Sequence, residues 1–316
     1  MLSGSYAAVM VDPRYIGVFH EVVRTGSYTA AARSLGYSQP AVSQQMRALE
    51  RALRTPLFLR AGGGLELTEA GRILAGHADS VVEDLTAAAN KITAVRELRR
   101  GSIRLCAFPS ASATLVPSAV ARITESHPEL RIQLSEAEPP DSLEALRRGE
   151  CDVALAFSYP ETEESPGDDI TGDDITGTDV LDDPMVAVLQ VAHPLAGRDS
   201  VELGELAGQR WIAGCPRCRD HFLRSCGSAG FEPDIAFTTD DNLAVQGLVA
   251  AGVGIALMPS LVLSFLRHPD VVGVPVEGLR PRRVTAYALW EQHRIPATAL
   301  LLETFGRIGA ETAADG

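Results

Sequence analysis

Residues 27–54, SYTAAARSLGYSQPAVSQQMRALERALR, constrain this chain more than any other stretch. They read as two short helices joined by a tight turn. Ser27 suits an N-cap, because its hydroxyl can accept from an orphan N–H of the first turn. Ala30, Ala31, Ala32 and Leu35 make a small, close-packing first helix, and Gly36 suits the left-handed residue that ends it. Ser38 or Gln39 opens the second helix. Pro40 falls in its first turn, where a missing N–H costs nothing. Val42, Met46, Leu49 and Leu53 then recur at steps of four, three and four, forming one apolar stripe. The opposite face carries Gln39, Ser43, Gln44 and Arg47. Gln and Arg can each make paired hydrogen bonds to base edges in the major groove, and Ser can reach base or phosphate. Ile16, Phe19, Val22 and Val23 supply a helix behind the pair. The expectation is a helix-turn-helix that reads double-stranded DNA, with Tyr28, Thr29 and Ser38 joining the recognition residues.

The net charge of −13 runs against such a role until its distribution is considered. Residues 1–67 hold seven arginines and four acids, whereas residues 101–316 hold sixteen arginines and thirty-two acids. Attraction to phosphate is local and screened beyond about 10 Å. A mildly basic head on an acidic body can therefore bind DNA, and gains by avidity in an oligomer.

Residues 68–100 supply that oligomer. Thr68 is an N-cap candidate for a long helix. Leu74, Ala78, Val81, Leu85, Ala88, Ile92 and Val95 alternate steps of four and three, a seam that packs helix against helix. The helix would run about 45 Å at 1.5 Å per residue. A two-fold dimer would present two recognition helices about one DNA turn apart; a tetramer is equally compatible.

The run FHEVVRTGSYTAAARSLGYSQPAVSQQMRALERAL, then PLFLR, then LELTEAG, resembles the N-terminal winged helix-turn-helix of bacterial LysR-type transcriptional regulators. The resemblance covers residues 13–72 almost continuously. It implies that Gln39, Pro40, Ser43, Gln44 and Arg47 lie on the recognition helix, that Arg60 starts the wing and meets backbone phosphate, and that the long helix dimerises the heads. The wing itself reads AGGGLEL over 61–67, where the family carries further basic residues. The division that follows is an extension over 1–12, the head over 13–67, the linker helix over 68–100 and an effector domain over 101–316. Met10 precedes the family-like start, so residues 1–9 are read as an extension or a mis-set start.

The last two-thirds alternates strand and helix, which implies a parallel sheet. Strands fall at 103–107, 130–134, 152–157, 185–190, 211–213, 234–237, 254–258 and 283–290, with helices between them. Two such lobes resemble the periplasmic-binding-protein-like (type 2) effector domain of the same family. Lobe I spans about 101–180 and 275–310, and lobe II about 181–274. A small-molecule effector then sits between lobes, at the carboxyl ends of strands. That rule selects Pro109, Ser110, Ser112 and Ser158 on one side, and Cys215, Arg217, Cys218, Thr239 and Asn242 on the other. Helix N-termini at these places suit an anionic effector.

Cys215-Pro-Arg-Cys218 is a local oddity, followed by His221 and Cys226. The leading expectation is structural or pocket-lining thiols. A redox pair with Cys215 and Cys218 as the input and a metal site of Cys215, Cys218, His221 and Cys226 are the alternatives. Cys106 and Cys151 read as core. Residues 161–180 carry eight acids and repeat GDDIT at 167–171 and 172–176; they lack the distal Glu of a calcium loop and read as a solvated insertion.

No catalytic constellation stands out, so an enzyme is not expected, and no cofactor is. There is no apolar run of about 18 residues and no basic, long-cored leader, so a cytoplasmic protein is expected, without membrane contact. RNA polymerase is a further expected partner. The rival from another class is an enzyme or transport-type binding protein with an incidental helical head.

Overall fold

The computed structural model describes residues 11–61, 64–98, 101–159 and 175–315. The side chains of Arg60 and Val95, and most of the GDDIT repeat, lie outside the described residues. The chain divides into two compact units, Met1–Asn90 and Lys91–Gly316.

The first unit opens with three helices, α1 (Pro13–Thr25), α2 (Tyr28–Leu35) and α3 (Gln39–Leu53). Their ends follow from local chemistry. Asp12, placed in the extension by sequence, is the N-cap of α1, its carboxylate accepting from Arg14 N. Ser27 Oγ accepts from Thr29 N and Ala30 N, and Ser38 Oγ accepts from Ala41 N. Gly26 and Gly36 close α1 and α2 in the left-handed region, at φ 67° and 69°. Phe19, Val22, Ala31, Ala32, Val42, Met46 and Leu49 bury one shared core; Leu53 packs at its margin.

A hairpin follows, β1 (Phe58–Ala61) against β2 (Gly64–Leu67), antiparallel, with Phe58 opposite Leu67. Thr68 Oγ1 accepts from Gly71 N at 3.0 Å and donates to Pro56 O at 2.8 Å. It thereby starts α4 (Glu69–Leu98), a helix of 30 residues. Gly71 is needed there, since a Cβ would sit 2.2 Å from Leu57 O. Leu74, Ala78 and Val82 pack on the head core. The later seam positions face outward: Val81 is 39% exposed, Leu85 51% and Ile92 74%.

The second unit holds two sheets. The first contains β3 (Ser102–Ala107), β4 (Arg131–Glu136), β5 (Val153–Ser158), β6 (Ile175–Asp183) and β13 (Arg282–Leu289), in the order β4-β3-β5-β13-β6. The second contains β7 (Met185–Gln190), β8 (Val201–Glu202), β9 (Arg210–Ala213), β10 (Asp234–Thr238), β11 (Ile255–Pro259) and β12 (Val271–Glu277), in the order β10-β9-β11-β7-β12-β8. Helices α5 (Pro109–Ala113), α6 (Leu115–Ser126), α7 (Asp141–Arg147) and α11 (Pro296–Asp315) serve the first lobe, and α8 (Pro216–Ser228), α9 (Asn242–Ala250) and α10 (Ser260–Phe265) the second.

Both sheets are mixed, not parallel as the alternation implied. β3 pairs parallel with β4 and β5, but β13 pairs antiparallel with β5 and β6. The reason is the crossover. β6 leaves the first lobe at Asp183 and β13 returns to it at Arg282, so these strands run in opposite directions side by side, with Arg282 opposite Asp183. The acidic stretch read as an insertion ends inside this sheet, because β6 begins at Ile175. The second sheet runs to Glu277, past the expected limit of 274. Leu134, expected on a half-buried strand, is 46% exposed because β4 is an edge strand.

Ile103, Leu105, Val153, Leu155, Phe157, Leu301 and Phe305 centre the first core, which also takes in Met185, Cys215 and Leu261 of the second lobe. Trp211, Phe222 and Leu189 centre another. Among the described residues no helix is long and apolar enough to cross a membrane.

Candidate nucleic-acid interface and inter-lobe cavity

In the head, the apolar stripe of α3 goes inward and its polar face stays out. Gln39, Pro40, Gln44 and Arg47 are exposed, as are Thr29 and Ser38, while Ser43 and Tyr28 are half-buried. Arg47 Nη2 donates to Ser43 Oγ at 3.3 Å, and its Nε to Ser43 O at 3.2 Å, so both groups share one face. Tyr28 meets the Phe58 ring edge-on, centroids 5.7 Å apart. This contact ties the start of α2 to the hairpin. Arg24 is held by Glu21, and Arg14 by Asp12. Arg33, Arg47, Arg51 and Arg54 are exposed and form no ion pair among the described residues. Arg24's guanidinium, and then a hydrogen bond from Ser34, hold the Glu21 carboxyl down at about 2. Tyr37, 52% exposed at the turn before α3, was not picked out by sequence.

In the second unit a cavity of about 330 Å³ lies where α5 faces α9 and α10. Pro109, Ser110, Asn242, Gln246, Leu261 and Phe265 are among its walls. Of the nine expected effector residues, Pro109, Ser110 and Asn242 line it; Ser112, Ser158, Cys215, Arg217, Cys218 and Thr239 do not. Thr239 Oγ1 instead accepts from Asp241 N, a turn role.

The expectation of an anionic effector meets three obstacles. α5 has only five residues and no side-chain cap, so its dipole is small. The N-terminus of α9 is already occupied by the Asp241 carboxylate, which accepts from Leu243 N and Ala244 N. Asp240 and Asp241 both line the cavity, and among the described residues no Lys, Arg or His does.

Ser110 has a different partner. Its Oγ accepts from Arg282 Nη2 at 2.9 Å. Arg282 also donates through Nε to Asp183 at 2.9 Å, and its guanidinium carbon lies 4.9 Å from the Phe108 centroid and 4.7 Å from that of Phe157. Asp183 in turn accepts from Ser260 Oγ and Leu261 N, both at 2.9 Å. This buried pair, at 3% and 1% exposure, knots the crossover to α5 and α10. Sequence reading missed it, because the two residues lie 99 positions apart and only the β6–β13 register joins them.

Cys215 and Cys218 are joined by a disulfide, their Cα atoms 5.1 Å apart. The four-ligand metal set is not assembled. The His221 ring stacks on Tyr159, centroids 3.8 Å apart and 6° from parallel, and Cys226 is buried beside Trp211 and Phe222 in the second core. Both lie on the helix face turned to those cores. Burial, with help from Arg224, pushes the His221 imidazole down to about 4, and burial pushes the Tyr159 phenol up to about 12. Cys106 and Cys151 are buried in the first lobe.

Comparison with known proteins gives two family matches. Residues 13–72 match the bacterial regulatory helix-turn-helix protein family, lysR, and residues 96–308 the LysR substrate binding domain. The chain is 29% identical over 248 residues to the uncharacterized HTH-type transcriptional regulator YybE of Bacillus subtilis, covering 77% of this chain and 80% of that one. It is 28% identical over 261 residues to the DNA-binding transcriptional dual regulator OxyR of Escherichia coli, covering 81% and 82%. Among solved structures, full-length CbnR complexed with its target DNA has the same fold, with a TM-score of 0.60 at 22% identity, covering 94% of this chain and 100% of that one.

Proposed function

The chain belongs to the LysR family of bacterial transcriptional regulators, not to a family of enzymes, and from that premise we propose how its two units divide the work. The outer face of α3 enters the major groove, where Gln39, Gln44 and Arg47 pair with base edges and Ser43 supports Arg47. Pro40, Ser38, Thr29 and Tyr28 set the approach, and Arg60 meets backbone phosphate. What carries this reading is the orientation of α3: Val42, Met46 and Leu49 are buried while Gln39, Gln44 and Arg47 face out. The α4 seam from Val81 to Ile92 pairs two chains, so that two heads meet two half-sites.

The effector occupies the cavity between α5, α9 and α10. Its size falls at the low end of small-molecule sites. Its walls favour a mostly apolar compound whose polar end donates hydrogen bonds or carries positive charge, meeting Asp240, Asp241 and Asn242. Such a ligand transmits a signal only if it prefers one arrangement of the lobes over another; contact with RNA polymerase is the natural output. The test is footprinting of a bound promoter. The full chain protects two half-sites about one turn apart, and an apolar amine that fits the cavity shifts the pattern where a matched carboxylate does not. Equal response to both compounds, or to neither, removes the effector assignment.

A further inference from the structure

A second inter-lobe cluster lies outside the cavity. Cys215 and Cys218 stand at the start of α8 in the second lobe, and Glu138 follows β4 in the first. The two sulfur atoms and a Glu138 carboxylate oxygen all lie within 4.8 Å of one another. Among the described residues this is the one such group of three ligating side chains. Zinc takes thiolate sulfur at about 2.3 Å and carboxylate oxygen at about 2.0–2.2 Å, so ligands around one ion are separated by roughly 3.5–4 Å. To reach that spacing the two sulfurs, now bonded to each other, must separate on reduction.

We propose that the dithiol form of this chain binds one thiophilic d10 cation, with zinc as the reference, through Cys215, Cys218 and Glu138, and that the ion bridges the two lobes. The chemistry balances. A dithiol reductant supplies two electrons and two protons, the S–S bond breaks, and each sulfur gains a hydrogen. On binding, each thiol releases its proton to solvent and gives a lone pair to the cation. A peroxide reverses this: it accepts two electrons and two protons as its O–O bond breaks, the S–S bond re-forms, and the ion, having lost both sulfur ligands, is released.

The surroundings favour this. Cys215 Sγ accepts from Cys218 N at 3.2 Å, so the first-turn donors of a 13-residue helix face a sulfur that would carry charge. Burial disfavours a bare negative charge on Glu138, more than Asp240 does and against the pull of Arg282, and a bound cation offsets that cost. Paired thiolates select zinc-like ions over magnesium or calcium. Two sulfurs and one carboxylate leave a fourth tetrahedral position open, as zinc sites that take an exogenous ligand do.

This inference stands apart from the effector reading, because binding is measured with neither DNA nor effector present. The full-length chain is reduced, freed of reductant, and titrated with zinc and separately with cobalt(II). The expected result is one ion per chain, a thiolate-to-cobalt charge-transfer band, and no binding by the disulfide form. Cys215→Ser and Cys218→Ser lose the band, and the near-isosteric Glu138→Gln weakens zinc at least tenfold. Failure of the reduced wild-type chain to bind zinc overturns the proposal, and this arm does not depend on any variant folding. So does undiminished binding in the Cys215→Ser/Cys218→Ser double variant, which places the metal on Cys106, Cys151 or Cys226. Unchanged affinity in Glu138→Gln overturns the bridge between lobes.

Discussion

Arg282 is held on every side, by two aromatic rings, an aspartate and a serine hydroxyl. Removing one partner of a buried pair strands the other's charge in a poor solvent. Asp183→Ala should therefore cost about 3–5 kcal/mol in urea unfolding of the body, while an apolar replacement of both Asp183 and Arg282 recovers a large part of it. His221 gives a second test. Its imidazole is neutral in the fold and titrates near 4, against 6.5 when free. Between those values the unfolded chain binds the proton and the folded chain does not. Stability from this group is thus full above pH 6.5 and falls as pH drops towards 4, with a slope of at most about 1.4 kcal/mol per pH unit. His221→Gln should flatten that limb of a stability–pH curve; an unchanged limb means His221 is not the group responsible.

At the scale of elements, α4 changes role along its length. Its first turns complete the head core, and its later apolar residues face outward. Leu85→Asp with Ile92→Asp should leave head unfolding unaltered, since both side chains are exposed, yet raise the dimer dissociation constant at least tenfold in sedimentation equilibrium. α11 rests on β6 at Gly309, where a Cβ would lie 1.6 Å from Val180 O. Gly309→Ala must push the helix off the sheet, at about 1–3 kcal/mol. The head elements were legible in the sequence because their signals are local. Caps at Ser27, Ser38 and Thr68, the glycine at 36 and the four-three-four stripe each act within one or two turns. The body was legible as strands and helices but not as a sheet order. β6 hid within an acid-rich run, and the Asp183–Arg282 contact depends on a pairing across 99 residues. The cavity was legible only in part: strand ends pointed to Pro109, Ser110 and Asn242, three of nine expected residues, but not to the loss of Ser110 to Arg282, nor to the two aspartates that set the cavity's charge.

For the whole molecule, charge is segregated along the chain, with seven arginines and four acids over 1–67 and sixteen arginines and thirty-two acids over 101–316, and attraction to phosphate is local. Affinity for DNA should fall steeply with salt, with a slope set by the few arginines of each head and doubled in a dimer. The central claim is that the outer face of α3 reads base sequence. The most direct measurement is selection of bound duplexes from a randomised library by the full-length chain, alongside its Gln44→Ala, Arg47→Ala and Arg60→Ala variants. The account predicts that Gln44→Ala and Arg47→Ala each relax preference at one position per half-site, by about 1–3 kcal/mol, whereas Arg60→Ala weakens every sequence alike. Equal weakening on all sequences by all three variants, with base preferences intact, would contradict it.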